Sequence, residues 1–256
     1  MSTSCKTEQE LDADSNLYDE LVRMEDGKYA GHPNRNRGRT DPRQCKFHGP
    51  DTPSDGFYIG PIAVFESSTD GIIEYSARTF DSQLKGDLIL SKFATQDSPG
   101  KVFRVQLGNG GKSVKSGPDE LWDLSGLSIE MSPYGDLLSP RVFGKRIIIL
   151  KAKRSYGSLV ARFIAVAPFR GPRKGGNWVM VTGEDLADGA TALFNGIPCT
   201  ETTEVTKDRR SFMCKVPAVE KQGVTGVSVA LRFADRRRDV AGADGGNGID
   251  YVYMRK

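Results

Sequence analysis

The sequence is poor in the residues that build metal and redox sites. Its 256 residues include only four cysteines and two histidines. No two cysteines form the C-x-x-C pair of zinc and redox motifs, and His32 and His48 complete no zinc-ligand spacing with Cys45. We therefore expect no metal site.

Segments that would cross a membrane or direct secretion are also missing. The longest apolar run, residues 147–150, is far shorter than the roughly 20 residues that span a bilayer, and it is typical of a buried strand. The N-terminal residues lack the charged and apolar regions of a signal peptide. A chain that starts at Met1 is therefore expected to stay in the cytosol.

Long helical periodicities are scarce, whereas turn-forming residues are abundant. The chain contains 29 Gly and 13 Pro, with 38% hydrophobic and 27% charged residues, which is the balance of a globular protein. Short apolar segments separated by glycine and proline are typical of strands joined by tight turns. The sequence therefore predicts an all-β protein.

The net charge of +3 combines an acidic first part with a basic second part. Residues 1–150 hold 18 basic and 22 acidic side chains (−4), and residues 151–256 hold 18 and 11 (+7). A basic segment can bind nucleic acid, but these positive residues lie in separate clusters at 173–174, 209–210 and 236–238. Such clusters are typical of a hydrated surface, so no nucleic-acid partner is expected.

The first 55 residues are mostly polar. Residues 1–15 have no apolar pattern to bury, which predicts a disordered tail. A turn signal follows at residues 26–29. Residues 32–54 are rich in Pro, Asn, Arg and Gly and predict a long surface loop, of a length that is usually functional or mobile.

Residues 56–152 contain an internal repeat of three short segments in the same order. The offsets are 56, 49 and 44 residues, and the segments are 73–76 with 129–132, 86–89 with 135–138, and 100–105 with 144–149. Repeats near 50 residues with three glycine-led strands are typical of propeller blades. We expect two consecutive antiparallel blades with open edges, a partial β-propeller of two to three blades that a partner, further sequence or self-association would complete.

Part of this region resembles a known enzyme family. Segments 19–22, 27–34, 71–75, 86–90 and 100–105 are similar to the later blades of the glucose/sorbosone dehydrogenase family. The resemblance covers residues 16–152 and implies a quinoprotein-type propeller with pyrroloquinoline quinone and calcium as cofactors. It also implies that the catalytic histidine belongs to an earlier blade, so that His32 does not correspond to it.

After a basic linker at residues 153–158, the pattern predicts a small β-sandwich over residues 159–256. Strands are predicted at 162–167, 177–182, 192–194, 202–206, 211–215, 226–232 and 249–253. Alternation places Val227, Val229 and Leu231 on one face.

Ordered motifs occur in this second part at 164–168, 171–172, 175–176, 179–183, 195–199, 214–218 and 249–251. On these motifs it resembles the IPT/TIG domain, an immunoglobulin-like module. It implies a module of the kind found in cell-surface receptors and some transcription factors. A transcription factor would need a DNA-reading loop, which the scattered arginines do not supply.

Cysteine spacing in this second part predicts one disulfide. Cys199 and Cys214 are 15 positions apart and flank adjacent predicted strands, so antiparallel pairing can bring them within bonding range. We expect the bond in an oxidising compartment. Cys5, in the tail, is not expected to hold Cys45 at a fixed geometry.

Four loop arginines are the candidate ligand-binding residues. Guanidinium groups suit planar oxyanions, so these side chains could hold an anionic ligand or a saccharide, but the favoured interpretation is a hydrated loop with Asp41 and Asp51 as neighbours. They are Arg35, Arg37, Arg39 and Arg43.

Other conspicuous residues are expected to be structural. His32 and His48 have no nucleophile or metal arrangement around them, and the glycine-rich segments 108–111 and 242–248 are predicted to be hairpin tips. Glu74 and Glu130 recur at the same position of the repeat, which favours a structural role for both.

Two functions remain. The first is a non-catalytic binding or adhesion module of an extracellular or cell-surface protein, with a protein or saccharide ligand. The alternative is a truncated fragment of a quinoprotein-type sugar dehydrogenase fused to an IPT/TIG domain. No residue of this chain is predicted to be catalytic.

Overall fold

The computed structural model describes residues 19–28, 30, 59–65, 68–93, 99–123, 125–152, 161–219, 226–233 and 249–254. The predicted tail at 1–15, the loop at 32–54, the linker at 153–158 and the arginine-rich and glycine-rich stretch at 235–248 lie outside these ranges. Within the described ranges the protein is all-β, and one three-residue 3-10 helix at Asn109–Gly111 is its only helical element.

The described strands are β1 (Asp19–Leu21), β2 (Ala63–Phe65), β3 (Thr69–Glu74), β4 (Leu88–Lys92), β5 (Lys101–Gly108), β6 (Ser113–Trp122), β7 (Glu130–Met131), β8 (Leu137–Arg141), β9 (Arg146–Leu150), β10 (Arg162–Ala167), β11 (Arg170–Pro172), β12 (Trp178–Glu184), β13 (Thr191–Phe194), β14 (Ile197–Pro198), β15 (Glu201–Thr202), β16 (Ser211–Lys215), β17 (Gly226–Val227), β18 (Val229–Arg232) and β19 (Tyr251–Met254).

Described residues between 59 and 152, here called the first module, form two antiparallel meanders. One has the order β3-β4-β5-β6 and the other the order β7-β8-β9, while β1 and β2 form a separate pair. All six strands predicted from the repeat are present. Apolar residues of the first meander, among them Tyr75, Ile89 and Val102, are fully buried. These meanders are compatible with propeller blades, an interpretation that stays a proposal.

The first meander contains one strand more than the repeat predicts. Strand β6 follows the hairpin tip at residues 108–111, which was predicted correctly, and pairs with β5 through three register shifts. Its sequence, SVKSGPDELW, is polar and contains Pro118. Because β6 is an edge strand with irregular pairing, it tolerates proline and needs no apolar pattern.

The two copies of the repeat are out of register by one residue at the turn. Glu74 pairs with Leu88, whereas Met131 pairs with Leu137. Leu88 and Leu137 are equivalent in the repeat, so the structural counterpart of Glu74 is Met131. The prediction that Glu74 and Glu130 occupy the same place was therefore wrong, because a one-residue slip turns a side chain to the opposite face of a sheet.

Described residues from 161 to 254, the second module, form a sandwich around one apolar core. One layer is the sheet β10-β12-β16-β15, and the other consists of β14-β13-β18 and β11-β19-β17. Val227, Val229 and Leu231 are buried on the same face, which confirms the alternation predicted for this segment. Strands occupy parts of all seven predicted ranges, but in two of them the prediction was wrong in detail. The range 202–206 holds only β15, which ends at Thr202, and the range 226–232 is divided at Ser228 into β17 and β18, which lie in different sheets.

Two short strands of the second module were not predicted. Strand β11 pairs in parallel with β19, about 80 positions later in the chain, and β14 is a two-residue hairpin partner of β13. Both contain proline, and neither has an apolar alternation. Each forms because the fold places it beside a longer strand, β19 for β11 and β13 for β14, and no local pattern predicts that pairing.

Candidate functional site

A buried ion cluster joins the two modules. Arg78, in the turn after β3, donates from Nε and Nη2 to the carboxylate of Asp250 at 3.2 and 3.0 Å, and the side chains are 3% and 1% exposed. Lys85 contacts the same carboxylate, and the Val229 N–H donates to it at 2.8 Å. Four donors satisfy the buried carboxylate, as a buried charge requires.

Apolar contacts continue this junction. Ile164 and Ala165 of β10 are buried in one cluster with Tyr75, Ala77 and Ile129 of the first module. The Arg78 N–H donates to the Ile164 carbonyl at 3.0 Å. The modules therefore share a packed core, which fixes the position of one against the other.

The turn between β7 and β8 also contacts the second module. The Thr182 hydroxyl donates to the Pro133 carbonyl at 2.7 Å, and the guanidinium of Arg210 lies 4.2 Å from the ring centre of Tyr134. Arg209, beside it, donates to the carbonyl of Leu186 at 2.9 Å. The arginines at 209–210 thus make contacts within the chain.

A groove of about 430 Å³ opens on the surface beside this junction; we call it the junction groove. Strands β3, β7 and β10 contribute to its walls, and each is the edge strand of its own sheet. Its volume lies within the range of ligand sites in proteins. The lining residues are Ile73, Glu74, Glu130, Met131, Ser132, Pro133, Ala165, Val166, Ala167, Pro168, Phe169 and Arg170.

The charged residues of the junction groove differ in their partners. Arg170 donates to Glu74 at 2.8 Å across the junction, and its guanidinium lies 4.7 Å from the ring centre of Phe169. Glu130 is exposed and forms no ion pair with any described residue. The groove therefore has an apolar floor, one neutralised pair and one carboxylate that is open to a ligand.

Val166 of β10 is only 2% exposed, and the direction of its backbone groups follows from the strand pairing. The N–H of Gly183 on β12 donates to the carbonyl of Arg210, on the side of β12 that faces β16. Backbone groups of residues two apart in a strand point to the same side, so those of Val181 also face β16. Val181 pairs with Val166, and in an antiparallel ladder this makes a pair without mutual hydrogen bonds. The N–H and C=O of Val166 therefore point away from β12.

Cys199 and Cys214 are joined by a disulfide with a Cα–Cα distance of 5.8 Å. Cys214 lies on β16 in one layer of the sandwich, and Cys199 follows β14 in the other. The bond therefore links the two layers.

The other residues singled out by the sequence lie outside the described ranges. They are the four arginines Arg35, Arg37, Arg39 and Arg43, the histidines His32 and His48, and the cysteines Cys5 and Cys45. Among the described residues, no three His, Cys, Asp or Glu side chains form a group that could hold a metal ion.

Sequence reasoning did not single out the junction groove as a site. Of its lining residues, the sequence indicates only Glu74 and Glu130 as conspicuous, and it predicts structural roles for both. The signal is that the two residues recur in the internal repeat, and a repeat does not show that they lie beside β10.

No helix in the described part of the chain is long and apolar enough to cross a membrane.

Comparisons with known proteins give one family match. Residues 162–238 match the model of the IPT/TIG domain, which confirms the resemblance of the second part of the sequence. No curated protein matches the chain.

Among solved structures, two descriptions of the plexin A4 full extracellular region are similar to parts of the chain. One contains domains 1 to 8, with 16% identity and a TM-score of 0.28 over 63% of this chain and 17% of the plexin chain. The other contains domains 1 to 10, with 16% identity and a TM-score of 0.29 over 73% and 15%. The chain thus spans about one sixth of the length of these structures. The family match covers residues 162–238, and the described residues of that range belong to the observed sandwich, so both assign an IPT/TIG, immunoglobulin-like fold to this part of the chain.

Proposed function

We propose that this chain is a non-catalytic binding part of an extracellular or cell-surface protein and that its ligand is another protein. The observation that carries this proposal is the junction groove, whose walls come from both modules. The buried Arg78–Asp250 pair and the shared apolar cluster hold these walls in place. Groups held by packing and hydrogen bonds need little reordering when a ligand binds.

Two further features support an extracellular protein ligand. The Cys199–Cys214 disulfide belongs to an oxidising compartment, because cytosolic thiols are kept reduced. Trp178 and Met213 of adjacent strands are 42% and 37% exposed on the sandwich, and aromatic and methionine side chains are enriched in protein interfaces. A saccharide held by Arg35, Arg37, Arg39 and Arg43 is the second ligand class.

A binding experiment tests this proposal. The chain is expressed with an added signal sequence, labelled, and applied to an array of extracellular proteins and to one of glycans. We expect saturable binding to a protein that unlabelled chain displaces and that Met131→Asp, in the groove, weakens at least five-fold. The matched control, Val64→Asp on strand β2, which does not line the groove, should bind normally. Absence of saturable protein binding, or binding to glycans alone, would overturn the proposal.

The dehydrogenase alternative has its own assay. Purified chain is mixed with pyrroloquinoline quinone and calcium, and dye reduction is followed with a panel of aldoses. We expect no turnover. Turnover that disappears in His32→Ala would replace the binding proposal by the enzymatic one.

A further inference from the structure

We propose that the outer edge of β9 binds an extended, acidic segment of a partner protein, which adds to the β7-β8-β9 meander as a fourth strand. No residue of β9 lines the junction groove, so this surface goes beyond the proposed function. Three features of the described residues support it. They are the way in which the first meander covers the same edge, the direction of the backbone groups of β9, and the cations around this strand.

The first meander shows how such an edge is covered. Strand β5 carries β6 on its outer side, and Lys101 at the start of β5 pairs with Glu120 of β6 at 3.2 Å. Arg146 is the counterpart of Lys101, because each pairs with the last residue of the preceding strand, β4 or β8. Among the described residues, no strand lies beside β9 in the place that β6 takes beside β5.

The backbone groups of two residues of β9 point outward. The Leu127 N–H, on the β7 side of β8, donates to the Pro140 carbonyl, so Pro140 has its backbone groups toward β7. Pro140 pairs with Ile147, and this is therefore a pair without mutual hydrogen bonds. The N–H and C=O of Ile147, and of Ile149 two residues later, point away from β8. Both residues are accessible, since they are 62% and 48% exposed.

The charges select an acidic partner. Lys145 and Arg146 at one end of β9 and Lys151 at the other are exposed, and none forms an ion pair with a described residue. A strand with an acidic residue at each end and valines between them matches these cations and the exposed isoleucines, because opposite charges and β-branched residues stabilise cross-strand pairs. Two antiparallel copies of β9 centred on each other would place Arg146 opposite Lys151. A second copy therefore pairs here more weakly than an acidic segment.

Peptide titrations followed by the backbone amide signals of the full chain test this inference. The probe is Ac-Glu-Thr-Val-Thr-Val-Glu-NH2, and the comparison peptide has lysine in place of both glutamates. We expect the acidic peptide to shift the amide signals of Ile147 and Ile149. It should bind at least about five-fold more tightly than the basic peptide, because it gains one exposed ion pair at each end.

Charge reversal tests the role of the cations. The double variant Arg146→Glu, Lys151→Glu should bind the basic peptide more tightly than the acidic one. The matched control is Lys112→Glu, Lys115→Glu, which reverses two exposed cations of the β5–β6 hairpin and should keep the original order. Equal binding of the two peptides to the wild type, or the same order in the charge-reversed variant, would overturn the inference.

N-methylated peptides test the backbone contribution. With the glutamates opposite Arg146 and Lys151, the valines lie opposite Ile147 and Ile149, and their N–H groups donate to β9. Methylation of either valine nitrogen should weaken binding at least about ten-fold, because a carbonyl of β9 loses its donor. The control is methylation of the threonine between the valines, whose N–H points away and which should bind within about two-fold of the parent.

Three further results would count against the inference. They are equal effects of methylation at the valines and at that threonine, signal shifts centred outside β9, and shifts at Ile147 and Ile149 that follow the concentration of the chain but not that of either peptide. The last result would assign the edge to a second copy. The proposed function would stand in each case, because its test depends on the junction groove.

Discussion

Arg78 and Asp250, 172 positions apart in the chain, form a bidentate ion pair in which both side chains are almost completely buried. The pair fastens the segment after β3 to Asp250, which directly precedes β19, the last strand of the sandwich. Lys85 and the Val229 N–H bind the same carboxylate, so the chain places a whole donor set around one acceptor. The position of the groove walls depends on this cluster.

Removal of the Asp250 carboxylate should be strongly destabilising. Asp250→Ala takes the counter-charge from buried Arg78 and Lys85, and the loss of one partner of a buried ion pair costs about 3–5 kcal/mol. Asp81→Asn is the control, because Asp81 also pairs with a cation of the other module, Arg162 at 3.1 Å, but is 77% exposed, and asparagine tolerates the positive φ of 51° at this position. That change should cost below about 1 kcal/mol. Urea unfolding measures both, and equal losses would contradict the role of the buried cluster.

The Cys199–Cys214 bond should stabilise the sandwich against unfolding. Closing a loop of 15 residues contributes about 3 kcal/mol in the chain-entropy model. The double variant Cys199→Ser, Cys214→Ser should therefore unfold at a lower denaturant concentration than the oxidised protein. Reduced wild-type protein should match the variant. Identical midpoints for oxidised and reduced protein would show that the bond does not form in solution.

Three buried tyrosines should make the protein sensitive to alkaline pH. Burial raises the pKa of Tyr75, Tyr251 and Tyr253 above the ordinary value near 10. These hydroxyl groups hold their protons more tightly in the folded chain than in the unfolded chain. Their contribution to the free energy of unfolding is therefore complete below pH ~10 and is lost as the pH rises above that value. The free energy of unfolding should then fall by about 1.4 kcal/mol per pH unit for each tyrosine.

The substitution Tyr75→Phe isolates one of these contributions. It removes the hydrogen bond that the hydroxyl donates to the Gly135 carbonyl at 2.6 Å, at a cost of about 1 kcal/mol at neutral pH. The free energy of unfolding of this variant should also fall less steeply between pH ~10 and ~11 than that of the wild type. Urea unfolding at both pH values measures this difference, and an unchanged decline would be the contrary result.

The two equivalent glycines of the repeat should differ in their tolerance of alanine. Gly86 and Gly135 both have positive φ, of 84° and 76°, but a Cβ on Gly86 meets nothing within 4 Å, whereas on Gly135 it meets Ala77 and Thr79. Gly86→Ala should cost about 1–2 kcal/mol for the left-handed backbone. Gly135→Ala should cost clearly more, because it adds the clash. Equal midpoints in urea unfolding would show that the two turns are alike in solution.

The open edge of β9 should promote self-association. Among the described residues this strand pairs with β8 alone, and Ile147 and Ile149 are 62% and 48% exposed on it. An unpaired apolar edge is a template for a second copy. We expect a concentration-dependent dimer in light scattering that Ile147→Lys removes and the control Val64→Lys on β2 leaves intact. A monomer at all concentrations would contradict the prediction of an open-edged blade.

Local patterns determined much of the fold. Glycine-led apolar segments predicted six of the seven strands of the two meanders, and the alternation in 226–232 predicted that Val227, Val229 and Leu231 share a face. The second part carried enough ordered motifs to predict its IPT/TIG resemblance. These features follow from neighbouring residues, whose turns and alternation constrain the backbone locally.

Only the tertiary structure decided where the site lies. Arg78 and Asp250 are ordinary charged residues in the sequence, and nothing local relates positions 172 apart. The one-residue slip that gives Glu130 an orientation different from that of Glu74 depends on hairpin geometry, which the repeat hides. The groove exists because three edge strands from separate sheets meet, and such a meeting is fixed by long-range packing and burial, which no periodicity along the chain records.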